Sequence, residues 1–299
     1  MSERQWERRR GVKLLIAGAG GMLGTELMSR LSAEHDCAGV DVADFDITDR
    51  AAALAFAKKI KPDMIINAAA YTDVDGCEAN ADVAYAVNAD GAGNLAEAAA
   101  LIDVPIIYFS TDYVFDGGKG GPYDEDDAPN PLGVYGRAKL EGENRTKLYN
   151  GKHFIIRIQS LYGKNGKNFV TTIIKAAREK GELRVVDDQW SRPTYAADVA
   201  DAIGRLIRNR SFGTYHVANG GVVSWYSFAE EILRQTGMTE VKLAPCAAAD
   251  YPRPAARPRY SPLECRNWRL GGYEPLRPYG EALADFLTEI GEAKTVGEV

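Results

Sequence analysis

The chain has 299 residues, of which 45% are hydrophobic and 26% are charged. This length allows a large core and is near the size at which one core splits into two, so we expect one large and one smaller domain. A formal net charge of −6 gives no general attraction to nucleic acid or to an anionic membrane, and neither partner is expected. The four cysteines and three histidines are widely spaced, which argues against a disulfide framework or a metal site. A reducing compartment, the cytoplasm, fits this cysteine usage.

Residues 1–10 are expected to form a flexible leader. The basic Arg8-Arg9-Arg10 before the apolar Leu14-Leu15-Ile16-Ala17 has the superficial pattern of a signal peptide. Lys13 interrupts the apolar run and glycines follow soon after it, so we reject that interpretation. Elsewhere no stretch reaches the roughly 18 apolar residues that a membrane-spanning helix needs.

A strand predicted at residues 12–17 runs into a glycine turn, Gly18-Ala19-Gly20-Gly21-Met22-Leu23-Gly24, which opens a helical pattern. In such a strand–turn–helix unit the glycines let the backbone approach a pyrophosphate, which binds at the helix N-terminus. The glycine spacing alone is a weak signal, because a purely structural turn has the same pattern. The flanking strand and helix favour a dinucleotide site.

A second predicted strand, residues 37–40, ends at Asp41, about 20 residues after the glycines. A carboxylate there can bind the adenosine ribose hydroxyls and would repel a 2′-phosphate, so Asp41 favours NADH over NADPH. The alternative is an ordinary turn residue at a strand end. In the next loop, Asp46 and Ile47 are placed to cover the adenine ring.

Predicted strands and helices continue to alternate. A strand at residues 64–66 runs into small residues, a helix follows at residues 81–100, and a strand at residues 104–109 delivers Ser110-Thr111-Asp112 at its carboxyl end. This alternation predicts an α/β fold with a doubly wound parallel sheet of the Rossmann type. We assign residues 11–158 and 186–212 to this dinucleotide-binding domain. The mixed loops and short strands of residues 159–185 and 213–299 are predicted to form a second, smaller α/β substrate domain.

Tyr135 and Lys139 form the predicted proton-transfer pair. If a helix begins near Tyr135, the four-residue spacing places the phenol and the ammonium on one face, where the cation lowers the pKa of the phenol. A tyrosine poised in this way, beside a hydroxyl such as that of Thr111, suits reversible reduction of a ketone by a bound hydride donor.

A proline-stiffened loop at residues 251–259 holds Arg253, Arg257 and Arg259. In an acidic chain this concentration of arginine predicts binding of a nucleotide-sugar diphosphate, because the guanidinium fork matches phosphate oxygens. A solvated basic loop is the alternative.

The glycine turn, Ser110-Thr111-Asp112 and Tyr135-x-x-x-Lys139 together resemble the extended short-chain dehydrogenase/reductases. Narrower matches, which extend from residue 12 to about residue 290, resemble the dTDP-4-dehydrorhamnose reductase family. These matches are residues 67–72, residues 110–117, Asp188-Gln189 with Pro193-Thr194, and Arg257-Pro258 with Ser261 and Leu263. The resemblance implies NADH- or NADPH-dependent reduction of the C4 ketone of dTDP-4-dehydro-L-rhamnose, which gives dTDP-L-rhamnose.

The resemblance also implies roles for individual residues. Thr111 would bind the carbonyl oxygen, Tyr135 would donate the proton, and Lys139 would lower the pKa of Tyr135 and hold the nicotinamide ribose. The implied cofactor contacts are Gly18, Gly21, Met22, Leu23, Asp41, Asp46, Ile47, Ala69, Ala70, Thr72, Phe109, Tyr135, Lys139 and Leu161. The implied substrate contacts are Thr111, Asp112, Ser160, Trp190 and Arg257. Related dehydratases have an acidic residue where this chain has Tyr113, so plain carbonyl reduction is favoured over elimination of water.

Departures from the family pattern leave the identity of the sugar substrate open. Family members often have a tryptophan where this chain has Ser160, while Ser191 replaces a glycine and Arg192 is expected near the pocket. A reductase of another nucleotide-linked 4-keto-6-deoxy sugar is therefore an alternative. A second alternative is a non-catalytic, cofactor-binding regulatory subunit, since residues 157–163 and 192–194 resemble the β subunit of methionine adenosyltransferase. Some members of the family carry Mg²⁺ between subunits, and the sequence leaves both this ion and a homodimer open.

Overall fold

Six parallel strands form the central sheet of the computed structural model, which describes residues 11–208 and 211–294. Its strands are β1 Lys13–Ala17, β2 Asp36–Val40, β3 Met64–Asn67, β4 Ile106–Thr111, β5 His153–Ile158 and β10 Gly213–His216. Their order in the sheet, β10-β5-β4-β3-β1-β2, places β1 between β2 and β3, so the chain reverses its direction of winding at the junction of β1 and β3. The predicted doubly wound sheet is confirmed. The predicted leader lies outside the described residues.

Helices cover both faces of this sheet, and the inner strands are therefore continuous buried runs rather than alternating ones. All four residues of β3 and all six of β4 are buried. The α-helices of the described residues are α1 Met22–Leu31, α2 Arg50–Ile60, α3 Val74–Ala79, α4 Ala81–Tyr85, α5 Ala92–Leu101, α6 Val134–Tyr149, α7 Phe169–Lys180, α8 Ala196–Leu206, α9 Trp225–Thr236, α10 Arg266–Leu270 and α11 Tyr279–Glu289. Leu27 of α1 and Ile203 of α8 share one core with Phe154 of β5, while α2 and α5 pack in a second core on the opposite face.

The helix predicted at residues 81–100 is interrupted by a π-helix, Ala86–Gly91, between α4 and α5. Such segments insert an extra residue into a helix and often occur at functional sites. Asn88 lies in this segment and pairs with the backbone of Tyr71, in the loop after β3. Its Oδ1 accepts from Tyr71 N–H at 2.9 Å, and its Nδ2 donates to Tyr71 O at 3.0 Å. The π-helix thereby fixes the loop at the carboxyl edge of the sheet.

A further core, in the part of the chain after β5, includes a cluster of aromatic side chains. The ring of Tyr162 lies 5.2 Å from Phe286 and 5.8 Å from Phe228, measured between centroids. Two-stranded sheets accompany this core. They pair β6 Leu161–Tyr162 with β9 Thr194–Tyr195, β7 Glu182–Val186 with β12 Lys242–Cys246, and β8 Trp190–Ser191 with β11 Val223–Ser224.

The predicted domain boundaries differ from the pairing of the short strands. The sequence pattern assigns β10 to the substrate domain, but β10 pairs in parallel with β5 in the central sheet. Conversely, β8 and β9 lie in the stretch assigned to the main domain and pair with β11 and β6, which lie outside it. Strands of two to four residues are too short for a periodicity that would reveal their partners. The division into two domains otherwise stays a prediction.

Candidate active site

A groove of about 280 Å³ runs along the carboxyl ends of β1, β2 and β3, where the sheet reverses its winding. Gly18 follows β1 with a φ of +78°, a left-handed conformation that favours glycine. A Cβ at this position would lie 2.6 Å from Ala69 N, so the glycine turn and the loop after β3 approach each other at backbone distance. A groove at this switch point, beside the N-terminus of α1, fits a dinucleotide.

Asp41 stands at the rim of this groove, directly after β2. Its Oδ2 accepts a hydrogen bond from Gly20 N–H at 2.7 Å, so the carboxylate also holds the glycine turn. In Rossmann folds an acidic residue at this position binds the ribose hydroxyls. The structure therefore gives Asp41 a structural contact in addition to its predicted cofactor contact.

The carboxyl end of β4 carries Thr111 and is followed by Asp112, and both residues are buried. Thr111 Oγ1 accepts from Tyr113 N–H at 3.1 Å and donates to Asp112 Oδ1 at 3.2 Å. Ser261, which follows the arginine loop, donates to Asp112 Oδ2 at 2.6 Å. Burial raises the pKa of Asp112 to about 6, against the effect of the hydrogen bonds from Ser261 and Thr111. Two distant segments of the chain thus fix this carboxyl group.

Tyr135 lies in the first turn of α6. Its ring is edge-on to the ring of Tyr113, with 5.8 Å between the centroids. Burial raises the pKa of Tyr135, and the nearby Asp112 and Tyr113 raise it further, whereas a hydrogen bond with Thr111 lowers it. The expectation of a lowered pKa is therefore wrong, because burial outweighs the favourable contacts. A raised pKa keeps the phenol protonated at neutral pH, in the form that donates a proton.

Lys139 lies in the second turn of α6 and is only 3% exposed. Its ammonium nitrogen is 4.3 Å from the centre of the Tyr108 ring. Burial lowers the pKa of Lys139 to about 7, while the charge of Glu143 acts to raise it. Glu143 itself accepts hydrogen bonds from Arg157 at 2.9 and 2.8 Å and from Ser110 at 2.6 Å. The Glu143 carboxylate is thus shared with Arg157 and Ser110.

A smaller pocket, of about 100 Å³, opens beside Asp112 and is the candidate sugar site. Ser160 on its wall has a φ of +45°, which is uncommon for a residue other than glycine. Ser160 Oγ lies 2.7 Å from Ser191 Oγ, so two residues that depart from the family pattern bond to each other. The other residues of the wall are Tyr113, Gln189, Trp190, Trp225, Arg257, Pro258 and Ser261.

The two arginines predicted near the sugar have partners within the protein. Arg257 lines the pocket, but its guanidinium forms a bidentate ion pair with Asp75, at 3.1 and 3.0 Å. Arg192 directly follows Ser191, which lines the pocket, but is not itself among the lining residues. Its guanidinium instead donates to the backbone carbonyls of Asn219 at 2.9 Å and Leu263 at 2.5 Å. Arg192 therefore joins the segments around residues 219 and 263.

Known proteins resemble this chain over almost its whole length. A family profile described as RmlD substrate binding domain matches residues 12–292. The dTDP-4-dehydrorhamnose reductase of Mycobacterium tuberculosis (strain ATCC 25618 / H37Rv) is 42% identical over 288 residues, which cover 93% of each protein. The chain belongs to the dTDP-4-dehydrorhamnose reductase family.

A solved structure and a further relative extend the comparison. The dTDP-4-dehydrorhamnose reductase of Bacillus anthracis str. Ames, crystallised in complex with NADP, has a TM-score of 0.91 and 39% identity, covering 93% of this chain and 99% of that chain. A Streptomyces antibioticus protein named probable dTDP-4,6-dihydroxy-2-methyloxan-3-one 4-ketoreductase is 36% identical over 282 residues, covering 93% of this chain and 96% of that protein. Relatives of this chain thus carry the names of reductases for more than one ketone.

In this member of the dTDP-4-dehydrorhamnose reductase family, only half of the predicted cofactor contacts lie on the groove. Those that line it are Gly18, Gly21, Asp41, Asp46, Ile47, Ala69 and Ala70. Four others lie in an apolar core beside the sheet or pack against it, and these are Met22, Leu23, Phe109 and Leu161. Thr72 is exposed beyond the groove, and Tyr135 and Lys139 lie on α6. The individual roles stay predictions.

Sequence reasoning missed the apolar wall of the cofactor groove. Val42 is 78% exposed, and it lines the groove together with Phe45, Ala68 and Val87. A valine directly after the acidic residue that follows β2 is a signal in the sequence that could have revealed Val42. Val87 comes from the π-helix, and no local signal links it to the glycine turn. Trp225, in the sugar pocket, was missed because no local signal in the sequence links it to the other residues of that pocket.

Within residues 11–208 and 211–294, no group of three or more His, Cys, Asp or Glu side chains could hold a metal ion. The same part of the chain has no helix that is both long enough and apolar enough to cross a membrane. Cys37, Cys77, Cys246 and Cys265 all have free thiols.

Proposed function

We propose that this protein is an NAD(P)H-dependent oxidoreductase that reduces the C4 ketone of dTDP-4-dehydro-L-rhamnose to dTDP-L-rhamnose. The observation that carries the proposal is the place of Thr111 in the fold. Thr111 ends β4, the strand next to β3 and the cofactor groove, while Asp112 after it lines the candidate sugar pocket. Tyr135 packs on Tyr113 at the same strand end. The family to which the chain belongs supports this chemistry.

Each residue of this set has a distinct task in the proposed reaction. A bound NAD(P)H supplies the hydride. The Thr111 hydroxyl, which can rotate away from Asp112, binds the ketone oxygen, and the Tyr135 phenol gives its proton to that oxygen. The charge of Lys139 stabilises the phenolate that remains, and its ammonium is the donor expected to hold the nicotinamide ribose.

Tyr113 supports reduction rather than elimination of water. Burial raises the pKa of Tyr113 to about 12. A phenol with this pKa is a poor substitute at neutral pH for the carboxylic acid that related dehydratases have at this position. Position 113 thus does not supply the acidic residue that those dehydratases have there for the elimination of water.

The proposal is tested by the oxidation of NADH and NADPH by the purified protein in the presence of dTDP-4-dehydro-L-rhamnose. We expect turnover that requires both the sugar and the reduced cofactor. A folded protein that binds the cofactor but gives no turnover above background would reject the reductase and favour the regulatory subunit.

The hydroxyl pair in the sugar pocket favours a second candidate, a reductase of another nucleotide-linked 4-keto-6-deoxy sugar. Ser160 offers a hydrogen bond to a sugar hydroxyl where an indole would offer a stacking surface, and Ser191 places a second hydroxyl beside it. The relative from Streptomyces antibioticus carries the name of a different 4-ketoreductase. Measured kcat/KM values for a set of 4-keto stereoisomers decide between the candidates. The highest value for the rhamnose precursor rejects the second one.

We place the proposed reaction in the cytoplasm, where four free thiols stay reduced. The dTDP-sugar is the expected small-molecule partner. Analytical ultracentrifugation at several protein concentrations would decide whether the protein is the homodimer that the sequence leaves open.

A further inference from the structure

The charge of Lys139 has little support from the carboxylates around it. Glu143, the acidic residue one turn along α6, forms ion pairs with Arg157 at 2.8 Å and with Lys147 at 3.5 Å. Burial disfavours an ammonium ion in the interior, and this effect outweighs the attraction of Glu143. Lys139 therefore needs a further partner if it is to stay charged at neutral pH.

The ring of Tyr108 is such a partner. Tyr108 lies on β4, three residues before Thr111, and is fully buried. The Lys139 ammonium is 4.3 Å from the ring centroid, well within the roughly 6 Å over which the negative face of an aromatic ring attracts a cation. Because this contact is shielded from water, its strength exceeds that of an exposed pair.

The ring of Tyr108 is also held in place. Its hydroxyl donates to Asn88 O at 2.8 Å and lies 3.4 Å from Lys139 O. Asn88 belongs to the π-helix, and its side chain is bonded to both backbone groups of Tyr71. The loop after β3, the π-helix, the Tyr108 ring and the Lys139 ammonium thus form one connected set of contacts.

We propose that Tyr108 is a positioning residue for Lys139, whose ammonium it keeps charged and in place by a cation–π contact with its ring. This inference rests on the proposed reductase function for its effect on catalysis, but not for the contact itself. The charged and aromatic groups that act on Lys139 are Glu143 from α6 and the ring of Tyr108 from β4. Ser110 from β4 and Arg157 from β5 act through Glu143, to which both donate hydrogen bonds.

The direct test is the pKa of Lys139 in the protein alone, measured by NMR titration of protein labelled with [ε-¹³C]lysine. The resonance is assigned by its loss in Lys139→Arg. We expect Tyr108→Leu, which removes the ring, to lower the pKa of Lys139 by about one unit. Tyr108→Phe keeps the ring and is expected to shift it by much less. Equal values in wild type and a folded Tyr108→Leu protein would overturn the proposal.

A second series keeps the proposal testable if Tyr108→Leu does not fold. Phenylalanine, 4-fluorophenylalanine and 3,4,5-trifluorophenylalanine at position 108 have nearly the same shape, but each fluorine weakens the negative charge of the ring face. A cation–π contact predicts that the pKa of Lys139 falls stepwise along this series. A purely structural role for the ring predicts no trend, and that result would overturn the proposal.

Catalysis gives an independent readout. In the direction of ketone reduction, kcat should fall as the pH rises through the pKa of Lys139, because the phenolate then loses its neighbouring cation. In Tyr108→Leu this fall should begin about one pH unit lower. A loss of kcat that is equal at every pH would contradict the proposal. Absence of turnover in wild type would reject the proposed function and leave the NMR result standing.

Discussion

The cofactor groove and the sugar pocket are assembled in different ways. The groove is lined mainly by residues within 17–21, 40–47 and 68–70, each of which lies at the carboxyl end of a strand of the central sheet. The pocket collects Asp112, Ser160, Trp190, Trp225 and Arg257 from segments that are far apart in the chain. A site made of consecutive strand ends can be predicted from local motifs. A site assembled by the tertiary fold requires the structure.

The two regions also differ in what holds their shape. In the groove, the close approach of Gly18 to Ala69 is a contact between backbone segments. In the sugar pocket, hydrogen bonds between side chains set the geometry, as between Ser160 and Ser191. We therefore expect changes in the groove to affect cofactor binding whatever the sugar, and changes in the pocket to affect the sugar alone.

Tyr135→Phe is expected to lower activity more than any other variant, because Tyr135 donates the proton in a reaction that needs both the cofactor in the groove and the sugar in the pocket. Loss of the proton donor should lower kcat by about 10²- to 10⁴-fold, while the Kd of the cofactor changes little. Steady-state kinetics and cofactor fluorescence measure the two quantities. Tyr149→Phe, at the exposed end of the same helix, is the matched control for the loss of a phenol. Unchanged kcat in Tyr135→Phe would mean that another group donates the proton.

Gly18→Ala tests the groove through its backbone. Gly120→Ala is the control, because Gly18 and Gly120 have φ values of +78° and +76°, but a Cβ on Gly120 would meet nothing within 4 Å. The control should lose about 1 kcal/mol of unfolding free energy from the left-handed conformation alone. Gly18→Ala should lose more and should weaken cofactor binding by about tenfold, or about 1.4 kcal/mol. Equal losses of stability and unchanged cofactor affinity would show that the close approach is unimportant.

Ser160→Ala and Ser191→Ala test the pocket. Each variant should lower kcat/KM for the sugar about fivefold, in line with the loss of a hydrogen bond worth about 1 kcal/mol, and leave the cofactor Kd unchanged. The double variant should lose less than the product of the two single losses, because the hydroxyls bond to each other. A change in cofactor affinity would break the separation between the two regions.

Asp41→Asn is expected to have the smallest effect. Asparagine keeps an oxygen that can accept from Gly20 N–H, so the substitution removes the charge and preserves the turn. The KM for NADPH should fall about threefold relative to the KM for NADH, because one charge that repels the 2′-phosphate is lost at an exposed site. An unchanged ratio would mean that Asp41 serves only to hold the glycine turn.

The sequence could predict the sheet and the proton-transfer pair because their signals are local. The buried runs of β3 and β4 read as strands, and a four-residue spacing places Tyr135 and Lys139 on one side of α6. The π-helix could not be predicted. Its surroundings are rich in alanine, and one extra residue does not disturb a pattern of small side chains.

The sequence is least informative about how deeply a side chain is buried and in which direction it points. The four-residue spacing does not show that burial dominates the pKa of Tyr135, since burial depends on the packing of the whole domain. Likewise, the position of Arg192 in the chain does not reveal that its guanidinium turns towards backbone carbonyls. The same limit explains why the Tyr108 partner of Lys139 emerges only from the structure.

The most direct test of the account follows the hydride. The protein is incubated with dTDP-4-dehydro-L-rhamnose and a cofactor that carries deuterium at the transferred C4 position of the nicotinamide, and the sugar product is analysed by NMR and mass spectrometry. The account predicts one deuterium at C4 of the product sugar and a new hydroxyl at that carbon. Oxidation of the cofactor without deuterium at C4, or an unchanged sugar, would contradict it.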